Sequence, residues 1–160
     1  MLNRTLNKQD AIYSTLKARG VWKGPNLPFV VLLSAELAEL DTVTNWQRTS
    51  DLEQYLIVNG VPYKRVLGKY HGETEKSFAV VLAGDVTKRE EQLDELLKLA
   101  EQFEQDSVLL LDRYRIATLL YPDGRRNETI GTFQVASKHD ALKLGDYTYD
   151  VDNDLYFIVR

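Results

Sequence analysis

At 160 residues and a formal net charge of −4, the chain has room for one hydrophobic core and too little basic surface for a general binder of nucleic acid or anionic membranes. It contains no cysteine, which excludes disulfides, thiol nucleophiles and cysteine-based metal sites. No apolar run approaches the roughly 20 residues that span a bilayer, and residues 1–20 lack the hydrophobic segment of a signal peptide, so the cytoplasm is the expected location.

Residues 1–24 read as a tail in which Asp10 caps a short helix carrying Ile12, Tyr13 and Leu16, ended by Gly20. Gly24-Pro25-Asn26-Leu27-Pro28 breaks the chain, and residues 25–160 are expected to form a single α+β domain. The valine-rich run 29–33 suits a strand buried on both faces. Thr44 to Gln47 has capping-box spacing, with Leu52, Tyr55 and Leu56 on one face of the helix that follows and Gly60 as its stop. Two strands are expected at 63–70 and 77–82, joined by a polar turn around His71-Gly72-Glu73.

A second helix starts at a capping box of Thr87 and Glu90, and Leu93, Leu96, Leu97, Ala100 and Phe103 form its apolar stripe. Strands are expected at 107–111 and 116–121, closed by Pro122-Asp123-Gly124, and then at 129–135, 147–151 and 155–159. The first 112 residues thus read β-α-β-β-α-β, which predicts a ferredoxin-like sandwich with extra C-terminal β-strands that extend or cover its sheet.

The chemistry-bearing residues are sparse. There is no glycine-rich phosphate loop, and His71 and His139 are isolated, which argues against a triad or a histidine zinc site; no metal and no cofactor are expected. Asp150-Val151-Asp152-Asn153-Asp154 lacks the glycine of a calcium loop, with Leu155 in its place, and reads as a solvated hairpin turn. Arg113, Arg115, Arg125 and Arg126 read as a solvated basic loop. Glu75 precedes a strand, and Glu104-Gln105-Asp106 joins the long helix to the next one. A β-α-β-β-α-β fold can bring these two places together at one end of the sheet, where polar residues readily build a ligand site.

Several motifs, in this order and at near-equal spacing, resemble those of the phage S-adenosylmethionine-degrading enzymes, formerly described as hydrolases and better described as lyases. Val31-Leu32-Leu33-Ser34-Ala35 is similar to the family's first strand, and Asn45-Trp46-Gln47-Arg48 to its N-x-x-R at the first helix. Tyr63 falls at a corresponding aromatic position, and Glu75-Lys76-Ser77 resembles a Glu-Lys-Thr. Glu104-Gln105-Asp106-Ser107-Val108-Leu109 resembles Glu-Gln-Asp-Cys-Val-Leu, and Gly131-Thr132-Phe133-Gln134 a Gly-Ser-Phe-Gln. The likeness spans roughly residues 29–135.

The resemblance implies a homotrimer of α-β sandwiches related to the GlnB-like signalling proteins, with active sites between subunits and S-adenosylmethionine as the substrate. By position it makes Glu75 and Gln105 the expected catalytic residues and Tyr63, Glu104, Asp106 and Ser34 the expected substrate-binding ones. The implied reaction is lactone-forming cleavage to methylthioadenosine and homoserine lactone, which would starve host methylation and restriction systems on a phage's behalf. The alternative is a non-catalytic, GlnB-like trimeric module that senses an adenine nucleotide or contacts a host factor, since a fold of this kind does not dictate turnover.

Overall fold

The computed structural model describes residues 27–70 and 72–160. The helix expected after Asp10, the break at Gly24-Pro25-Asn26, and His71 lie outside the described residues. Along the chain run β1 (Val30–Ser34), α1 (Thr42–Val58), β2 (Tyr63–Tyr70), β3 (Glu73–Val81), α2 (Val86–Gln102), β4 (Val108–Leu111) and β5 (Ile116–Leu120). They are followed by β6 (Glu128–Ala136), α3 (Lys138–Leu144), β7 (Tyr147–Asp150) and β8 (Leu155–Val159).

The expected open ferredoxin-like sandwich is not what forms: the eight strands close into one antiparallel barrel in the order β1-β3-β2-β7-β8-β6-β5-β4. The C-terminal strands neither merely extend nor cover the sheet. β5 and β6 continue it from β4, β7 pairs with β2 through Leu67↔Tyr149, Gly68↔Thr148 and Lys69↔Tyr147, and β8 joins β7 to β6. Both edges that a four-stranded sheet would have left open are thereby paired, and closure removes the exposed edge altogether. Curvature is helped by an irregularity at Ala117/Thr118 and by Gly131, whose φ of 139° lets the backbone of Arg160 pass where a Cβ would stand 2.6 Å away.

The apolar run in β1 is buried on both faces for a definite reason. Val31 and Leu33 pack outward into a core with Leu52 and Leu56 of α1 and Leu96, Leu99 and Ala100 of α2. Val30 and Leu32 point into the barrel, beside Ala79, Leu109, Phe133 and Phe157. The two helices therefore cover one part of the barrel wall, and the barrel interior is a second, separate core.

Both long helices start before the expected capping boxes, the first by three residues and the second by two. The Asp41 carboxylate accepts from the Thr44 amide at 2.7 Å and the Asp85 carboxylate from the Lys88 amide at 2.9 Å, so aspartate rather than Thr44 or Thr87 supplies the cap. The first helix then stops as expected, with Gly60 at φ 64° just beyond the Asn59 cap. The short α3 escaped the periodicity; Ser137 caps it and Gly145 closes it.

Two readings of charged residues also change. Asp150 sits at the start of the hairpin expected to be solvated, yet it is fully buried against Lys64. Arg115, placed with a solvated basic loop, is buried, and its guanidinium donates to the carbonyls of Pro28 and Asp112. Among the described residues no helix is long and apolar enough to cross a membrane.

Candidate active site

A cavity of about 710 Å³ enters the barrel at one end, well within the range of small-molecule sites. Its floor is apolar, made by Leu32, Val66, Leu109, Leu119, Phe133 and Phe157. The polar groups gather higher on the wall: Ser34, Ser77, Glu75, Gln105, Asp106, Tyr70, Thr148 and Asp146. Among the lining residues three are carboxylic acids (Glu75, Asp106 and Asp146) and none is a lysine or an arginine. A cationic molecule is the natural occupant of such a wall.

Strand register explains the grouping. Gly68 stands opposite both Glu75 and Thr148, Val66 opposite Ser77, and Ser77 opposite Ser34. Alternation along each strand then turns all of them to the inner face. Gly68 has no side chain, and the Tyr70 ring occupies the space, so near that a Cβ there would lie 2.9 Å from a ring carbon. The Tyr70 and Thr148 hydroxyls share a hydrogen bond of 2.6 Å, and burial pushes the Tyr70 phenol above its ordinary pKa.

Glu75 is the most perturbed of the acids. Burial, reinforced by the nearby charge of Glu36, pushes its carboxyl up to about 7. It can therefore exist in either form near neutrality, and a cation beside it would draw it to the charged one. Ser34 is fully engaged within the protein, donating to the Lys76 carbonyl at 2.8 Å and accepting from the Glu36 amide at 3.1 Å. Gln105 uses its amide nitrogen to bridge the Glu36 carbonyl at 3.0 Å and the Phe103 carbonyl at 3.3 Å.

Of the six residues singled out in the sequence, the fold brings Glu75, Gln105, Asp106 and Ser34 to this one cavity. Asp106 is already matched from outside by Arg125 at 2.6 Å, and that guanidinium also reaches Asp123 and lies over the Tyr121 ring. Glu104 points elsewhere, exposed, toward Arg48 at 3.4 Å. Tyr63 lies on the helix-facing side of β2, packed edge-on to Phe78, with its hydroxyl donating to Glu53 at 2.9 Å. It lines a separate groove of about 600 Å³ with Trp46, Arg65 and Asp152.

Sequence reasoning missed Gly68, Tyr70, Thr148 and Asp146. Alternation within 63–70 could have put Gly68 on the same face as Val66, but only the pairing of β2 with β7 reveals that Thr148 and Asp146 belong to the same wall. His139 is exposed on α3, and among the described residues no group of three or more histidine, cysteine or acidic side chains could hold a metal ion.

A barrel with an apolar-floored, acid-walled cavity defines a small-molecule site suited to a ligand that carries positive charge and has apolar surface to bury. The S-Adenosylmethionine lyase family matches residues 31–160, most of the chain and all but the first residue of the barrel, and the protein belongs to that family. S-adenosylmethionine, with its sulfonium and ammonium groups, is a ligand of that description. No curated protein matches the sequence.

Proposed function

We propose that the protein cleaves S-adenosylmethionine to methylthioadenosine and L-homoserine lactone in the mouth of the barrel. The observation that carries this reading is the cavity wall, in which Glu75 and two further acids stand over an apolar floor, no lysine or arginine lines the cavity, and only Asp106 is matched, by Arg125 from outside. The substrate brings its own activated leaving group. One oxygen of its carboxylate attacks the γ-carbon, the γ-carbon–sulfur bond breaks, and its electron pair returns to sulfur as a neutral thioether. A five-membered lactone closes in the same step. Formally this requires neither an added nucleophile nor a proton acceptor.

The task left to the protein is positioning. Holding the methionyl arm folded as a near-attack conformer can contribute roughly 7–11 kcal/mol in favourable cases. Carboxylate and sulfonium lose their charges together, so an apolar surrounding favours the transition state over the separated charges. Glu75, at the wall, anchors the α-ammonium or the ribose, directly or through water, and Gln105 orients the arm. A homotrimer whose sites lie between subunits is part of the same proposal, and it would let Tyr63, remote from this cavity in its own chain, serve that of a neighbour. In a cell the reaction removes the methyl donor, a counter-defence of use to a phage against restriction and modification.

The test is to resolve the products of purified protein and S-adenosylmethionine at early times by chromatography and proton NMR. Lactone appearing with methylthioadenosine before homoserine supports the proposal. Homoserine from the first time point identifies water as the nucleophile instead, and unchanged substrate removes the assignment. Full activity in folded Glu75→Gln and Gln105→Ala variants would overturn the residue roles.

A further inference from the structure

We propose that Arg48 is a positioning residue for this reaction, locking together the two chain segments that present Gln105 to the cavity while not lining it. The inference rests on the reading that Gln105 works in that cavity.

Arg48 projects from α1, with only 18% of its side chain exposed. Its Nε donates to the carbonyl of Ala35 at 2.7 Å, on the segment leaving β1. One terminal nitrogen donates to the carbonyl of Phe103, and the other reaches the Glu104 carboxylate at 3.4 Å, both on the turn leaving α2. Gln105 spans the same junction from the other side, since its amide ties the Glu36 carbonyl to the Phe103 carbonyl. The two side chains are thus paired clasps on one joint, sharing the Phe103 carbonyl.

Glu104 has a φ of 58°, the left-handed conformation that closes α2 and is uncommon for a residue with a side chain, and it turns the chain from α2 toward Gln105. Backbone bonds from Glu104 to Glu101 and from Gln105 to Ala100 hold the turn itself, and the side-chain clasps fix it against the β1–α1 loop. The planar guanidinium offers donors in three fixed directions and meets acceptors in all three, which a lysine ammonium cannot reproduce. Asn45, one turn earlier on α1, holds the rest of the β1–α1 loop by exchanging hydrogen bonds with the backbone of Leu37 at 3.0 and 2.8 Å. Arg48 therefore ties that loop to the α2–β4 turn alongside Gln105 itself.

Steady-state kinetics of Arg48→Ala, Arg48→Lys, Gln105→Ala and the Arg48→Ala/Gln105→Ala double variant test the proposal. Misplacing a positioning group costs on the order of 10- to 100-fold. Arg48→Ala and Arg48→Lys are expected to lose about that much in kcat with little change in KM, and added guanidinium is expected to restore part of the kcat of Arg48→Ala. In the Gln105→Ala background, Arg48→Ala should have almost no further effect, because groups that act as a unit are not additive. Wild-type kcat in folded Arg48→Ala, or losses that multiply in the double variant, would overturn the proposal. Should Arg48→Ala not fold, Arg48→Lys decides by the same kcat criterion. If Gln105→Ala alone keeps full kcat, the role of Gln105 falls and takes the Arg48 proposal with it, an outcome distinct from failure of Arg48 alone.

Discussion

The Lys64 ammonium stands 3.5 Å from the Asp150 carboxylate, and both side chains are withdrawn from water, at 3% and 0% exposure. Lys64 belongs to β2 and Asp150 to the end of β7, so the pair lies beside the seam where the C-terminal strands close the barrel. Lys64 also reaches Asp152 at 3.2 Å, and the Asn153 amide donates to Asp150 at 2.8 Å, so the hairpin after β7 is folded around this charge. Breaking a buried pair by removing one partner typically costs roughly 3–5 kcal/mol, whereas replacing both with apolar groups is often near neutral. Lys64→Met is therefore expected to lose stability of that order, and Lys64→Met/Asp150→Leu to recover most of it. Urea unfolding of the two variants checks this.

Glu75 makes stability depend on pH. Its carboxyl is raised from 4.5 to about 7 in the folded protein, so folding takes up a proton between those values. The stability it contributes is fully present below the unfolded value and is lost as pH rises through the folded one. Glu75→Gln removes that loss. The variant is expected to unfold at a higher temperature than the parent above about pH 7, with the difference shrinking toward about pH 4. Thermal unfolding across a pH series is the measurement.

The same group is expected to set substrate affinity. Only the charged form of Glu75 attracts a cation, so KM should fall as pH rises through about 7, while kcat changes less. Glu75→Gln should raise KM and flatten that limb of the profile. Initial rates over a range of S-adenosylmethionine concentrations at each pH check it.

Gly131 is expected to tolerate no side chain. Its φ is 139°, and a Cβ would meet the backbone carbon and oxygen of Arg160 at 2.6 Å, where neither neighbour is a flexible side-chain tip. The Thr132 amide donates to the Arg160 carbonyl at 2.7 Å and the Arg160 amide returns the bond at 3.0 Å, so this contact holds the β6–β8 closure. Strain and clash together predict a cost of roughly 2–3 kcal/mol for Gly131→Ala. Denaturant unfolding measures it, and proteolysis of the chain's end should rise in parallel.

The local elements were legible in the sequence because their causes are local. The valines of β1 declared a strand buried on both faces, the leucine stripe of α2 declared an amphipathic helix, and strands at 63–70 and 155–159 matched to the residue. The meeting of Glu75 with Gln105 and Asp106 also followed from element order, since β1 and β3 are neighbours and the α2–β4 turn ends beside them. The motifs that resembled a lyase family pointed to the family that the chain belongs to.

Closure could not be read that way. It depends on Gly68 meeting Thr148 and on Phe133 meeting Val159, pairings between distant segments whose alternating patterns fit an open sheet equally well. Once the barrel closed, it decided the rest. It buried Asp150 against Lys64 and turned the sheet face opposite Tyr63 into a wall of acids over an apolar floor. The sequence by itself determined which segments become strands and helices, because propensity and periodicity act over a few residues. Only the tertiary structure decided which faces look at one another, because that is fixed by strand pairing across the whole chain.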